Sequence, residues 1–297
     1  MIASVNGLIV IDKPTGMTSH DVVSRLRRFT GEKSIGHLGT LDPMATGVLP
    51  LLLGRYTRLA QFFSSAEKSY TGTVRFGFAT DTYDAEGQPT TEPVTLVLTL
   101  EMVQKAAEYF HGEMNQLPPV FSAKKIQGKP AYKLAREGKS VEMKTARIVI
   151  HEFTIEGLSD DTASFGMRVS AGGYVRSVAH EMGEALGCGA HLSSLRRTQA
   201  GVFTLAEAVT LDQVAAFAGA GEEAFAALMP HPRNLLPELP AVTADEQTAS
   251  RMKNGMQVNL PEFSQSPLVR VFTRQRNIFC IARRIAGTLF QPEVVLG

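Results

Sequence analysis

Four prolines, Pro230, Pro232, Pro237 and Pro240, fall within eleven residues. In a helix interior each proline removes a hydrogen bond and adds a clash; in a central strand it removes a ladder bond. No regular element crosses such a segment, so the 297-residue chain divides there into a long part, 1–237, and a short one, 238–297. That division suits one large domain with a small one appended. A second breaker, Pro118-Pro119, opens a polar, Lys-rich stretch over 118–146 that reads as an insertion rather than core.

Between the breakers, helical and strand patterns mix. Gly7 to Ile11 reads as a buried strand stopped at Lys13-Pro14, and Val48 to Leu53 is an apolar run. Tyr70 to Thr80 alternates as a strand does, followed by a polar turn over Asp81 to Gly87. Further strands are expected at 147–156 and 163–169. Ser19 is placed to N-cap a helix bearing Val22, Val23, Leu26 and Phe29 and ending at Gly31. Other helices are expected over Thr99 to Phe110, Pro130 to Arg136, Val175 to Leu186 and the Ala-rich Ala206 to Leu228. The short part predicts a helix from Thr243 to Lys253 and strands at Val269 to Phe272 and Ile278 to Ile285.

Bulk properties exclude some classes. No apolar run reaches membrane-spanning length, and the N-terminus has no basic region or cleavage site of a signal peptide. Cys188 and Cys280 lack metal-ligand spacing and read as reduced, buried residues of a cytoplasmic protein. Net charge is only +1, but it is unevenly spread. Residues 121–147 carry eight Lys/Arg against two Glu, and 251–297 carry seven against two. Two basic blocks on a near-neutral chain suffice to build a phosphate-binding face.

The segment Gly36 to Leu49 is the most informative. Its glycines permit close backbone approach, and Leu41, Met44, Val48 and Leu49 surround its one acid, Asp42, with hydrocarbon. A lone carboxylate in apolar surroundings is costly without a cationic partner, which marks Asp42 as a candidate site residue. As it stands, Gly36-His37-x-Gly39-Thr40-Leu41-Asp42-Pro43-x-Ala45-x-Gly47-Val48-Leu49 resembles the sequence around the catalytic aspartate of TruB-type pseudouridine synthases. Further stretches agree in order: Asp12-Lys13-Pro14-x-Gly16-x-Thr18-Ser19; Lys68-Ser69-Tyr70 with Thr80-Asp81-Thr82 and Asp84; Pro118-Pro119-x-x-Ser122-Ala123-x-Lys125; and Gly173-Tyr174-Val175-Arg176-Ser177 with Leu195-Arg196-Arg197-Thr198. One departure is Ser170-Ala171-Gly172-Gly173-Tyr174, which lacks the family's lysine and threonine before the arginine.

The resemblance implies an α+β pseudouridine-synthase fold: a mixed, mostly antiparallel twisted sheet flanked by helices, with a thumb insertion and a small C-terminal PUA-like RNA-binding domain. It implies isomerisation of uridine 55 in the T-loop of tRNA by base flipping, without cofactor or metal. The enzyme would be a cytoplasmic monomer with no obligatory protein partner. It assigns Asp42 as the catalytic carboxylate, Tyr70 as the stacking aromatic and Arg176 as the partner of Asp42. His37 would fill the space left by flipped nucleotides, and Leu195 would pack on the base. Lys13 and Pro14 would buttress the Asp42 loop, with Lys68 and Asp84 as lesser site residues. Lys124, Lys125, Lys129 and Lys133 would grip the RNA backbone. Competing readings are a guide-dependent synthase, a non-catalytic tRNA-folding factor, and a glycosidase; the last lacks a second acid placed for leaving-group protonation.

The basic insertion carries its own test. Replacing Lys124, Lys125, Lys129 and Lys133 together by Ala weakens tRNA binding and flattens its log–log salt dependence. The slope falls by roughly 0.7 to 0.9 for each phosphate that the variant no longer neutralises. Filter binding over a salt series measures this, and an unchanged slope would reduce the block to a solvated surface.

Overall fold

The computed structural model describes residues 5–95, 97–122, 124–126, 128–137, 142–274 and 277–297. The chain begins with β1 (Gly7–Lys13), α1 (Ser19–Thr30), β2 (Ile35–His37), β3 (Thr46–Leu53) and a run of 3₁₀ turns over Gly54–Phe63. Next come β4 (Lys68–Phe76), α2 (Leu100–Glu108), β5 (Gly112–Gln116), a hairpin of β6 (Lys125–Ile126) and β7 (Lys129–Pro130), and α3 (Ala131–Arg136). They lead to β8 (Ala146–Ser159), β9 (Thr162–Val169), α4 (Val175–Ala185), β10 (Ala190–Ala200), β11 (Phe203–Thr204), α5 (Leu211–Ala220) and α6 (Glu222–Ala226). The final stretch holds β12 (Ala241–Thr243), α7 (Glu246–Lys253), β13 (Val258–Asn259), β14 (Leu268–Thr273), β15 (Asn277–Ala286) and β16 (Leu289–Val295).

Nine strands form one sheet in the order β1-β3-β10-β4-β9-β8-β5, with β2 on β3 and β11 on β10. All its pairings are antiparallel except β3 with β10. Five strands form a second sheet, β12-β14-β15-β16-β13. The fold is thus the mixed, mostly antiparallel α+β arrangement expected. No helix among the described residues is long and apolar enough to cross a membrane.

The apolar runs at Gly7 and Val48 are unbroken because β1 and β3 are buried on both faces. Ile9, Ile11, Leu49, Leu51 and Leu53 face a core shared with α1, α4 and α5. Leu8, Val10, Val48 and Leu52 face a second core that includes Phe272, Ile278, Ile281, Val294 and Leu296 from the second sheet. The proline-rich segment lies packed between them: Pro232–Asn234 forms a 3₁₀ turn, and Leu235 and Leu236 are buried in that second core.

Several local expectations need correction. The N-cap of α1 is Thr18, not Ser19; Thr18 forms a reciprocal capping box with Asp21. Ser19 is instead buried and bonds the backbone of Leu41. The strand from Tyr70 stops at Phe76, and Gly77 turns the chain with φ 106. The Ala-rich stretch is not one helix. Val209 leaves it to hydrogen-bond along the free edge of β1, and Gly221, with φ 113, separates α5 from α6. Strands β5, β10 and β16 were not foreseen, because polar residues interrupt their alternation.

Strands β5 and β8 are direct neighbours, and Gln116 pairs with Ala146 at their open end. Residues 117–145 therefore leave the sheet and return at one point, carrying β6, β7 and α3. Gly138, Lys139 and the side chains of Lys125 and Arg136 lie outside the described residues.

Because Leu235 joins the two sheets in one core, Leu235→Ala lowers stability by about 2–5 kcal/mol. Urea unfolding followed with hydrogen exchange measures the loss in β3 and β15 alike. Loss confined to the second sheet would show that the two sheets are uncoupled.

Candidate active site

Three neighbouring strands line up the site. Tyr70 on β4 pairs with Arg197 on β10, and Arg197 pairs with Gly47 on β3. Gly47 also faces Lys13 across the β1–β3 ladder. A Cβ on Gly47 would sit 2.2 Å from the Arg197 carbonyl oxygen, and its φ is 99, so only glycine fits this crossing. The loop 38–45, between β2 and β3, lies over this row.

That loop is held by two buried cations. Lys13 Nζ donates to the Pro43 carbonyl at 3.2 Å and to the Pro14 and Met17 carbonyls. Arg197 is fully buried and donates to the carbonyls of Val48 (2.7 Å), Gly39 (3.1 Å) and Thr40 (3.4 Å). Ser19, in the first turn of α1, bonds both the N–H and the carbonyl of Leu41. The backbone on both sides of Asp42 is therefore fixed.

Arg176 approaches from the first turn of α4. Its Nη2 donates to Asp42 Oδ1 at 3.1 Å, and its Nε lies 2.9 Å from Asp42 Oδ2. The guanidinium also donates to the carbonyls of Thr82 and Phe121, each at 2.9 Å, and lies 3.5 Å from Asp84 Oδ2. The Arg176 side chain is 5% exposed and that of Asp42 33%, so the cation is sealed in while the carboxylate faces open space. That space is a cavity of about 530 Å³, lined among others by Asp42, Lys68, Tyr70, Lys124, Tyr174, Arg176 and Leu195.

The α4 N-terminus is positioned by Gln116 at the root of the insertion. Gln116 Oε1 accepts from the Tyr174 N–H at 2.7 Å, and its Nε2 donates to the Tyr174 carbonyl at 3.0 Å. Ser177 Oγ donates to the Leu117 carbonyl. The insertion and the guanidinium thus share one anchor.

Electrostatics follow from burial. Desolvation raises the Asp42 carboxyl above its ordinary range and nearby Asp84 adds to this, while Arg176 opposes it. Burial lowers the Lys13 ammonium to about 8, against the pull of Asp42. The Lys68 ammonium, at the cavity wall and bonded to the Ala66 carbonyl, is also lowered to about 8 by burial, with the charge of Arg197 adding to it. Among the described residues, no group of three or more His, Cys, Asp or Glu could hold a metal ion.

Asp42, Tyr70, Arg176, Leu195, Lys68 and Lys124 meet at the cavity, and Asp84 stands behind Arg176. His37 is not among the lining residues; it ends β2 opposite Leu51, and its buried Nδ1 has no hydrogen-bond partner among the described residues. Burial and the charge of Arg197 lower its pKa. Pro14 lies outside the cavity, contributing its carbonyl to Lys13. Lys129 and Lys133 are exposed on the insertion. Gln116 and Arg197 were not foreseen as site residues. Arg197 stands in a stretch that resembles the family, yet Arg196-Arg197 reads as surface charge until β10 is known to be interior.

A family model described as TruB family pseudouridylate synthase (N terminal domain) matches residues 27–175. One described as tRNA pseudouridylate synthase B C-terminal domain matches residues 176–233. The tRNA pseudouridine synthase B of Solibacter usitatus is 45% identical over 98% of this chain and 100% of that protein. That of Geobacter sulfurreducens is 42% identical over 85% and 82%, respectively. A chain in the crystal structure of a Cbf5-Nop10-Gar1 complex shares the fold, with a TM-score of 0.73 at 24% identity, covering 98% of this chain and 85% of that one. The chain belongs to the TruB family of pseudouridylate synthases.

Arg197 offers a direct test of how the loop is held. Arg197 serves its three carbonyls from three separate nitrogens, Nε, Nη1 and Nη2, and the single ammonium nitrogen of a lysine cannot occupy all three positions, so Arg197→Lys lowers stability by about 3 kcal/mol. The urea midpoint falls at unchanged slope. A midpoint equal to that of the unaltered protein would show that the loop does not depend on this cation.

Proposed function

We propose that this chain isomerises uridine 55 in the T-loop of tRNA to pseudouridine, as a cytoplasmic monomer that needs no protein partner and no cofactor. The observation that carries this reading is the Asp42–Arg176 pair, open on its carboxylate side to a cavity shared with Tyr70 and Leu195. The names borne by relatives matching nearly the full chain support tRNA as the substrate.

The reaction breaks the N1–C1′ bond, turns the base and forms C5–C1′. The C5 proton leaves and N1 gains one, so electrons balance without an oxidant. A base inside the T-loop must first be extruded. The extruded uracil then stacks on Tyr70, with Leu195 closing the other side. Asp42 is ionised and attacks C1′ or C6, or removes the C2′ proton; each route needs a carboxylate fixed close to the nucleotide. Arg176 keeps the carboxylate charged and oriented despite its burial. The insertion, rooted where Phe121 accepts from Arg176, carries Lys124, Lys129 and Lys133 toward the RNA backbone. Residues 238–297 form a small PUA-like unit that adds affinity from its basic surface.

Asp42→Asn is nearly isosteric but provides neither nucleophile nor base. It abolishes tritium release from tRNA labelled at uridine C5 while leaving tRNA binding intact. Steady release by a variant free of deamidated protein would sink the assignment.

The pH profile gives a second test. Only ionised Asp42 reacts, so the single-turnover rate falls as pH drops through its pKa. Because burial raises that pKa, the acid limb lies above the ordinary carboxylate range. A limb at or below that range would mean another group governs the rate.

A further inference from the structure

Beyond Arg176, α4 carries a second contact to the site. The Thr82 carbonyl accepts from Arg176 Nη1, and Asp84 approaches the same nitrogen. Between them stands Tyr83 with φ 64, a left-handed backbone that a bulky residue rarely adopts and that persists only where its surroundings hold it. The Tyr83 ring lies flat against the imidazole of His180, with centroids 3.8 Å apart and planes 9° from parallel. His180 sits four residues after Arg176, one turn further along the same helix.

The opposite side of this loop is tied to β10. The Leu192 N–H donates to the Tyr83 carbonyl and the Ala85 N–H to the Leu192 carbonyl, both at 3.0 Å. Thr80 and Thr82 hydroxyls close it internally on Asp84. The stack completes the enclosure on the α4 side. The His180 Nδ1 atom is buried with no hydrogen-bond partner among the described residues, and its Nε2 lies 3.6 Å from Glu184 Oε1.

We propose that Tyr83 and His180 are positioning residues for Arg176: their stack locks the Thr82–Asp84 segment to α4, so that the guanidinium keeps its hold on Asp42. The proposal rests on the reading of Asp42 as the reacting carboxylate. Groups facing Asp42 are Arg176, Asp84, Lys13 and Glu86. Glu184 faces His180 at 3.6 Å, and Glu184 and Glu181 face Tyr83. Burial lowers the His180 pKa, and the charge of Glu184 opposes this.

The test uses full-length protein and a tRNA transcript labelled with tritium at uridine C5. Single-turnover rates at saturating RNA are measured across pH, beside affinity by filter binding and urea unfolding. His180→Ala and Tyr83→Ala each lower the maximal rate by roughly three- to tenfold, the scale of one aromatic pair, and leave tRNA affinity unchanged. Both move the acid limb to higher pH, because a drifting Arg176 holds Asp42 ionised less well. The double variant is no slower than the worse single one. His180→Phe keeps a flat ring over Tyr83 and restores both rate and limb, which a simple loss of fold stability would not explain. The proposal is overturned if folded His180→Ala keeps the unaltered rate and acid limb, or if His180→Phe is as impaired as His180→Ala. Asp42→Asn run alongside separates the two readings: if it is inactive while His180→Ala is unimpaired, only the positioning role falls. If Asp42→Asn turns over, the reading of Asp42 falls and takes this one with it.

Discussion

A carboxylate partly withdrawn from water stays charged more readily when a cation and fixed dipoles replace the hydration it has lost. Asp42 meets that condition through Arg176, and much of the surrounding architecture serves to keep the two together. Arg176 is held by the carbonyls of Thr82 and Phe121 and by Asp84, while Gln116 grips the backbone just before it. On the other side, Lys13, Arg197 and Ser19 hold the loop that carries Asp42. Breaking such a pair leaves a sealed-in guanidinium without its carboxylate, which costs far more than the net worth of the pair.

The two buried cations beneath the loop have the same logic. The carbonyls of Gly39, Thr40, Pro43 and Val48 do not all find partners in the sheet ladder. Guanidinium and ammonium groups reach them from neighbouring strands. Solvent cannot satisfy these cations, since Lys13 and Arg197 are both 0% exposed. On the proposed reading of Asp42, a loop fixed in this way would place the carboxylate before substrate arrives and leave little reorganisation for the reaction itself. The sheet is in turn stiffened by burial of β1 and β3 on both faces, with the second sheet supplying one of the two covers.

Much of this was legible in particular residues. Two-sided burial shows as unbroken apolar runs at Gly7 and Val48, and helical spacing from Val175 to Met182 marks α4. Asp42 was a candidate on its apolar neighbours in sequence, and it was chiefly the resemblance of its loop to a known family that singled it out. The same reading missed β10, where His191, Ser193, Ser194, Arg196 and Arg197 look like surface. It also ran a helix from Ala206 to Leu228, which Val209 breaks by joining the edge of β1. In both places a long-range backbone pairing overrode the local pattern, and local pattern carries no trace of such a partner.

The amino-acid sequence by itself determined the inventory: an isolated acid among leucines, glycines where backbones must touch, an arginine opening a helix, and a lysine-rich insertion between breakers. It did so because residue type and spacing fix local conformation and solvation preference. Only the tertiary structure decided which of these groups meet. Asp42 and Arg176 are 134 residues apart, and Arg197 is 158 residues from the Gly39 carbonyl it holds. Such pairs form because strand register and helix packing bring their backbones together. Register is set by burying two cores at once, a property of the whole sheet rather than of any segment of it.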